Sequence, residues 1–176
     1  GVIKFGTDLL GKSNIKETVE YLGFPIASRE VNDDTETGFS VAGEYFIELG
    51  RDLAVGAGVE YQFLRKAKGA ERGFKYIPVY ALGRYQIDSK IYLTGKIGYN
   101  LLKIEGQEDF KNAEIKGGLF CGIGGGVVLD ETWQIEASYS INNGKITEDF
   151  VYDGEYYKSK GSLEHSKIGV SIGYKF

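Results

Sequence analysis

The final eleven residues, Ser166-Lys167-Ile168-Gly169-Val170-Ser171-Ile172-Gly173-Tyr174-Lys175-Phe176, place an apolar side chain at every second position. Ile168, Val170, Ile172, Tyr174 and Phe176 alternate with Lys167, Gly169, Ser171, Gly173 and Lys175. Side chains change face at each step along a strand, so this segment presents one oily face and one thin polar face. A sheet in water buries its oily face and loads the other with bulky polar groups. Here the second face is glycine, serine and lysine, which suits a crowded polar interior. The usual inside and outside are reversed, as expected of a strand whose apolar face meets lipid.

Composition fits a closed sheet. The 176 residues include 26 Gly and 13 Tyr but only 2 Pro and no Met. Glycine permits close packing, and tyrosine suits aromatic belts at a membrane boundary. The formal net charge of -4 gives no bulk basic charge for nucleic acid. No run approaches the ~18 apolar residues of a spanning helix, which leaves barrel strands open because their hydropathy signal is weak. The single Cys121 excludes an intramolecular disulfide. No export signal stands at Gly1, and the chain is expected to be a mature form whose signal has been removed.

The terminal pattern recurs. About eight strands are expected, near Val2–Leu10, Gly38–Leu49, Leu53–Leu64, Phe74–Ile87, Lys90–Leu102, Gly118–Leu129, Thr132–Ile141 and Glu164–Phe176. Most are long enough for the ~9–11 tilted residues that cross a bilayer. Tight turns at Gly50-Arg51-Asp52, Asp88-Ser89 and Asp130-Glu131 alternate with long polar stretches at 11–37, 65–73, 103–116 and 143–163. An up-and-down barrel gives this rhythm when short turns face the periplasm and long loops face outside. No linker divides the chain, so one barrel domain over residues 1–176 is expected.

The candidate lipid faces include Ile3, Phe5 and Leu9, then Tyr45, Ile47, Val55, Val59, Leu93, Ile97, Ile135 and Tyr139. Pro78 cannot donate to a ladder and is expected to mark a bulge, with Ile77, Val79, Ala81 and Tyr85 outward. Phe39, Phe63 and Tyr99 fall at the loop end, and Tyr85, Trp133, Tyr174 and Phe176 at the turn end, giving two aromatic girdles. The opposite face carries Lys4, Asp8, Glu44, Glu48, Glu60, Arg84, Lys96, Glu136, Lys167 and Lys175. These are five bases and five acids, and buried charges must pair. They are expected to cross-link into a packed polar core with no continuous channel. Inward Gly118, Gly122, Gly124 and Gly126 would leave room for Tyr80, Arg84 and Tyr92.

With its alternating terminal strand and its rhythm of long loops and short turns, the chain resembles the small eight-stranded outer-membrane barrels, the group of the OmpA membrane domain and OmpX. The segment Tyr76-Ile77-Pro78-Val79-Tyr80-Ala81-Leu82-Gly83-Arg84-Tyr85 is also similar to that group's mid-barrel strand. The resemblance implies a bacterial outer-membrane location, surrounding lipid and lipopolysaccharide, and a barrel assembly machinery that reads Tyr174 and Phe176. It says little about activity, because the group holds anchors, adhesins, resistance proteins and a few lipid-modifying enzymes.

Candidate chemistry is sparse, and neither a catalytic residue, a cofactor nor a metal is expected. His165 and Ser166 are adjacent and so point to opposite faces, which bars a direct proton relay; His165 is expected at a solvated loop edge. Glu30, Asp33, Asp34 and Glu36 form an acidic run, as do Glu148, Asp149, Asp153 and Glu155, but neither has the spacing of a calcium loop. Arg65, Lys66, Lys68 and Arg72 form a basic loop suited to lipopolysaccharide phosphates. Asn14 and Glu17 with Ile15, Val19 and Leu22 have the spacing of a short amphipathic helix on the barrel mouth. Gly122-Ile123-Gly124-Gly125-Gly126 lies inside a strand with no following helix, so it is not a phosphate loop. The expected protein is a non-enzymatic membrane peg whose loops hold a host or surface ligand. A narrow pore and a lipid-modifying enzyme are the alternatives.

Overall fold

Long alternating segments rich in β-branched and aromatic residues fit a pleated ribbon with two unlike faces. In the computed structural model, which describes residues 1–66, 73–105, 113–152 and 154–176, they form nine antiparallel strands. These are β1 (Val2–Tyr21), β2 (Phe24–Asp34), β3 (Phe39–Glu48), β4 (Leu53–Gln62), β5 (Phe74–Gln86), β6 (Ile91–Ile104), β7 (Ala113–Val128), β8 (Trp133–Tyr152) and β9 (Glu155–Lys175). β1 pairs with β3 on one side and β9 on the other, so eight strands close and β2 stands outside the ring.

The ring has the expected eight strands, and β2 is an additional one. The lower part of β1, Val2–Thr7, pairs with β3, and its upper part, Lys12–Tyr21, pairs with β2. β2 and β3 therefore act as two lengths of one descending arm. The expected helix with Ile15, Val19 and Leu22 on one face is instead this hairpin. The upper part of β1 is hydrogen-bonded on both edges, by β2 and by β9 up to Tyr157, which a helix could not offer. The expected loop over 143–163 is likewise the continuation of β8 and β9, which pair without a break from Trp133↔Tyr174 to Tyr152↔Glu155.

The reversed faces are in place. Ile168 is 43% exposed and Ile172 the same, while Lys167 between β8 and β1 is 6% exposed. Val79, Ala81 and Tyr85 face out and Ile77 is half-exposed, in the orientation expected for β5. Pro78 marks no bulge: β5 pairs with β6 continuously from Ile77↔Leu101 through Pro78↔Asn100 to Val79↔Tyr99. β4 leaves β5 at Val59↔Val79, so the missing N–H of Pro78 falls where no ladder is required. Bulges occur elsewhere, at Asp8/Leu10 in β1 and Gly117/Phe120 in β7. The first leaves Leu9 and Leu10 both exposed and shifts the inward set above it to Ser13.

Candidate functional site

Inward side chains of β1, β3, β6 and β8 meet at mid-barrel because each falls on the inward-facing alternation of its strand. Lys4 Nζ lies 2.7 Å from Glu44 Oε2 and 2.7 Å from Glu136 Oε2. Lys96 Nζ lies 2.8 Å from Glu44 Oε1 and 3.1 Å from Glu136 Oε1. Two ammonium groups and two carboxylates thus alternate around a closed ring, and the Tyr80 hydroxyl donates to Glu44 at 2.9 Å. A ring of this kind offsets the several kcal/mol that each isolated buried ion would cost.

A second neutral cluster lies nearer the loop end. Lys167 Nζ bridges Asp8 at 3.1 Å and Glu60 at 2.8 Å, and Arg65 forks onto Asp8. Arg65 also reaches Gln62 Oε1 at 3.3 Å, and Gln62 donates to Asn142 at 3.3 Å. Arg65 corrects the expected lipopolysaccharide loop: it is 2% exposed and turned into the barrel. The chain re-enters the ladder there through Arg65↔Phe74, which carries the guanidinium over the mouth and down to Asp8. Lys66 lies 3.8 Å from Glu105, and Lys68 and Arg72 lie outside the described residues.

Three expected core charges lie apart from these clusters. Glu48 and Lys175 are exposed at the turn end, because their strands end where the cylinder opens. Arg84 donates to Gln134 Oε1 at 2.9 Å and lies 3.6 Å over the Tyr92 ring. Glu48, Arg84, Gln134 and Lys175 line a cavity of about 470 Å³ that opens between the short turns. Beside the two ion clusters, by contrast, the free volume is about 40 Å³, room for little more than a water molecule. Gly126 makes space for the Tyr92 ring, which a Cβ there would strike. Tyr80 instead uses the room at Gly58, on β4, where a Cβ would sit 2.7 Å from its ring.

His165 corrects another expectation. It is 0% exposed, with Nδ1 3.2 Å from the Lys12 carbonyl, and stands against Phe74 and Tyr76. Phe74, Tyr76, Leu102 and Leu163 form an apolar layer above the ion clusters. The loop-edge position expected for His165 follows from a last strand that begins at Glu164. The strand begins at Glu155, so His165 lies in its middle and faces inward. Glu30 is taken by Asn14 at 2.7 Å and Lys16 at 3.5 Å along the β1–β2 hairpin. Among the described residues no acidic group is gathered as a cation cage; Asp153 lies outside them.

The ends of the two long hairpins meet. Tyr21 stands 5.2 Å from Tyr157, which stacks on Phe150 at 5.6 Å and meets Tyr152 edge-on at 6.3 Å. The Tyr21 hydroxyl donates to Glu155 at 3.1 Å, tying the hairpins together. Leu22, Phe24, Val151 and Tyr156 remain exposed around this cluster, Tyr156 at 78%. At the other end Tyr174 packs on Trp133 at 5.1 Å, and Phe176 closes the ring by donating its N–H to the Gly1 carbonyl at 3.1 Å.

A reversed, closed, charge-filled cylinder is the architecture of outer-membrane proteins, and the family model for the outer membrane protein beta-barrel domain matches residues 11–176. The chain belongs to that family. It is an integral protein of the bacterial outer membrane. A search of curated protein sequences found no match. Among solved structures, OprG of Pseudomonas aeruginosa aligns with all of this chain and 96% of its own, at 13% identity and a TM-score of 0.56. Neisserial surface protein A covers 100% of this chain and 99% of its own, at 16% identity and a TM-score of 0.48. Ail of Yersinia pestis covers 93% and 97%, at 16% identity and 0.43. At such identities the likeness to OprG is one of fold alone.

Proposed function

We propose that this barrel is a non-enzymatic surface-interaction protein, a closed peg that displays a recognition platform outside the cell. The observation that carries this reading is the aromatic cluster joining the β1–β2 and β8–β9 hairpins at the end of the molecule remote from the short turns. Exposed apolar side chains concentrated on a rigid, paired support suit protein or surface contact better than scattered ones do. The hairpins are sheet, so the platform is held in place before any ligand arrives, which lowers the entropic cost of binding.

The lumen supports the same reading. Two charge-neutral clusters at mid-height and an apolar layer toward the hairpins occupy it, which supports a lumen closed to ions and small solutes. We assign Tyr174 and Phe176 to the signal read by the assembly machinery, on the resemblance to the small barrel group. The Lys4, Glu44, Lys96 and Glu136 ring and the Asp8, Glu60, Arg65 and Lys167 cluster act as structural cross-links.

The test compares cells displaying the native barrel with cells displaying Phe24→Ser/Tyr156→Ser, assayed for adhesion to host-cell and matrix surfaces. Both forms must first show equal surface amounts and equal heat-modifiable migration. Native adhesion well above that of barrel-free cells, lost in the variant, is the expected result. Equal adhesion of native, variant and barrel-free cells contradicts the reading.

A further inference from the structure

Charged residues that face each other across neighbouring strands are of opposite sign over most of this sheet. Lys12 stands opposite Asp34, Lys16 opposite Glu30 and Glu17 opposite Arg29. Lys158 stands opposite both Glu20 and Asp149. The described register breaks this rule at two places, and both lie on the same rim. Lys75 of β5 is directly opposite Lys103 of β6, and Lys116 of β7 is directly opposite Lys145 of β8. Like charges directly opposite each other weaken a sheet.

These four lysines share a level. Rising from the short turns, the outward face of β5 runs Tyr85, Gly83, Ala81, Val79, Ile77 and then Lys75. That of β6 runs from Ile91 through Ile97, Tyr99 and Leu101 to Lys103. On β7 and β8 the apolar runs from Val127 and Trp133 likewise end, before any other outward charge, at Lys116 and Lys145. So on four consecutive strands the first charge above the lipid-facing band is a lysine. The aromatic girdle adjoins them: Lys75 donates to the Tyr61 hydroxyl at 3.0 Å, and the Tyr99 ring lies against Gly117, next to Lys116. Among the described residues the acids at this rim are Glu114, 2.8 Å from Lys116, and Glu105, two residues beyond Lys103, whose carboxylate is engaged by Lys66 at 3.8 Å and by the Gly73 N–H at 3.2 Å. The opposite arc, over β1, β2 and β9, has Lys12 with Asp34 and then Glu164 at the same height, so its charge is compensated.

We propose that the rim over β5 to β8 binds the phosphate groups of an outer-leaflet glycolipid, with Lys75, Lys103, Lys116 and Lys145 as its ligands. A phosphate between two opposed ammonium groups turns a repulsive cross-strand pair into a bridged one. The apolar band directly below receives the acyl chains of the same molecule, and Tyr61 and Tyr99 meet its headgroup region. The site depends only on the barrel standing with its long hairpins outward, and not on what the hairpins recognise.

The test uses the whole barrel in bilayer discs of zwitterionic phospholipid. Four proteins are compared: native, Lys75→Gln/Lys103→Gln, Lys116→Gln/Lys145→Gln, and the control Lys12→Gln/Lys16→Gln from the compensated arc. Each is titrated with diphosphorylated lipid A, with lipid A stripped of phosphate, and with inorganic phosphate. Binding is followed by native mass spectrometry, and unfolding by heat-modifiable migration. Without glycolipid, the two rim variants are expected to unfold at or above the native midpoint, because repulsion has been removed. With diphosphorylated lipid A, the native and control barrels gain stability and retain the lipid. The rim variants bind about fivefold more weakly per lysine removed, the order of effect of one basic side chain at an anionic surface. The proposal is overturned if rim and control variants bind equally, if phosphate-free lipid A binds as well as the diphosphorylated form, or if inorganic phosphate alone gives the full gain.

Discussion

A lysine shared by two glutamates, each shared in turn by a second lysine, has no member that can be lost alone. Glu136→Ala leaves Lys4 and Lys96 with only Glu44 between them, and the expected cost is about 3–5 kcal/mol, the range for breaking a buried pair. Lys96→Met/Glu136→Leu removes one charge of each sign and keeps the Lys4–Glu44 contact of 2.7 Å, so it should cost much less. Urea titration of the folded gel band separates the two; equal losses would contradict a ring. The members of this ring were legible in the sequence because each falls at an inward position of an alternating strand. Arg65 was not. It follows the last paired residue of β4, where the period of two has ended, and only the return through Phe74 aims it at Asp8. His165 was misplaced for the related reason that its strand begins earlier than the polar residues around it suggest.

The strands themselves were legible wherever lipid enforces alternation, and their upper extensions were not. Above the apolar band both faces are wet, so Lys12–Tyr21 and 143–163 carry mixed polar residues that read as loop or helix. Pairing decides them: Lys12–Tyr21 is bonded to β2 on one edge and β9 on the other. Amide hydrogen exchange should therefore find these residues protected at a level near that of the membrane strands. Exchange as fast as in an open loop would contradict the hairpin. The short turns are fixed by a repeated device: Asp88 Oδ1 accepts N–H bonds from Lys90 and Ile91, and Asp130 Oδ1 accepts them from Thr132 and Trp133. The backbone N–H groups of Ile91 and Lys90 hold the Asp88 carboxyl below its ordinary value of 3.8. A carboxyl lowered by folding stabilises above its unfolded pKa and loses that contribution as pH falls through its folded one. The stability difference between the native chain and Asp88→Ala should thus be constant at neutral pH and vanish under strong acid. A difference that grows on acidification would show the opposite sign.

At the scale of the molecule, closure and reversal are one fact. Eight strands make a cylinder whose interior side chains can fill, and the filling here is ionic at mid-height and apolar toward the hairpins. On the proposed reading a lumen packed in this way is expected to carry no steady current, and the two hairpins to hold a fixed aromatic surface outside the membrane. The most direct test is a cysteine accessibility measurement in a Cys121→Ser background. Ile168, Val170 and Ile172 are replaced one at a time by Cys on the outer face, and Ser138, Ser140 and Ser171 on the inner face. Each variant, in lipid bilayers, is treated with a lipid-soluble and a small water-soluble thiol reagent. The expected result is reaction of the outer positions with the lipid-soluble reagent alone and of the inner positions with neither. Rapid labelling of Ser138→Cys, Ser140→Cys and Ser171→Cys from water would reveal an open channel, and unreactive outer positions would mean the oily face is buried; either contradicts a sealed, inside-out barrel.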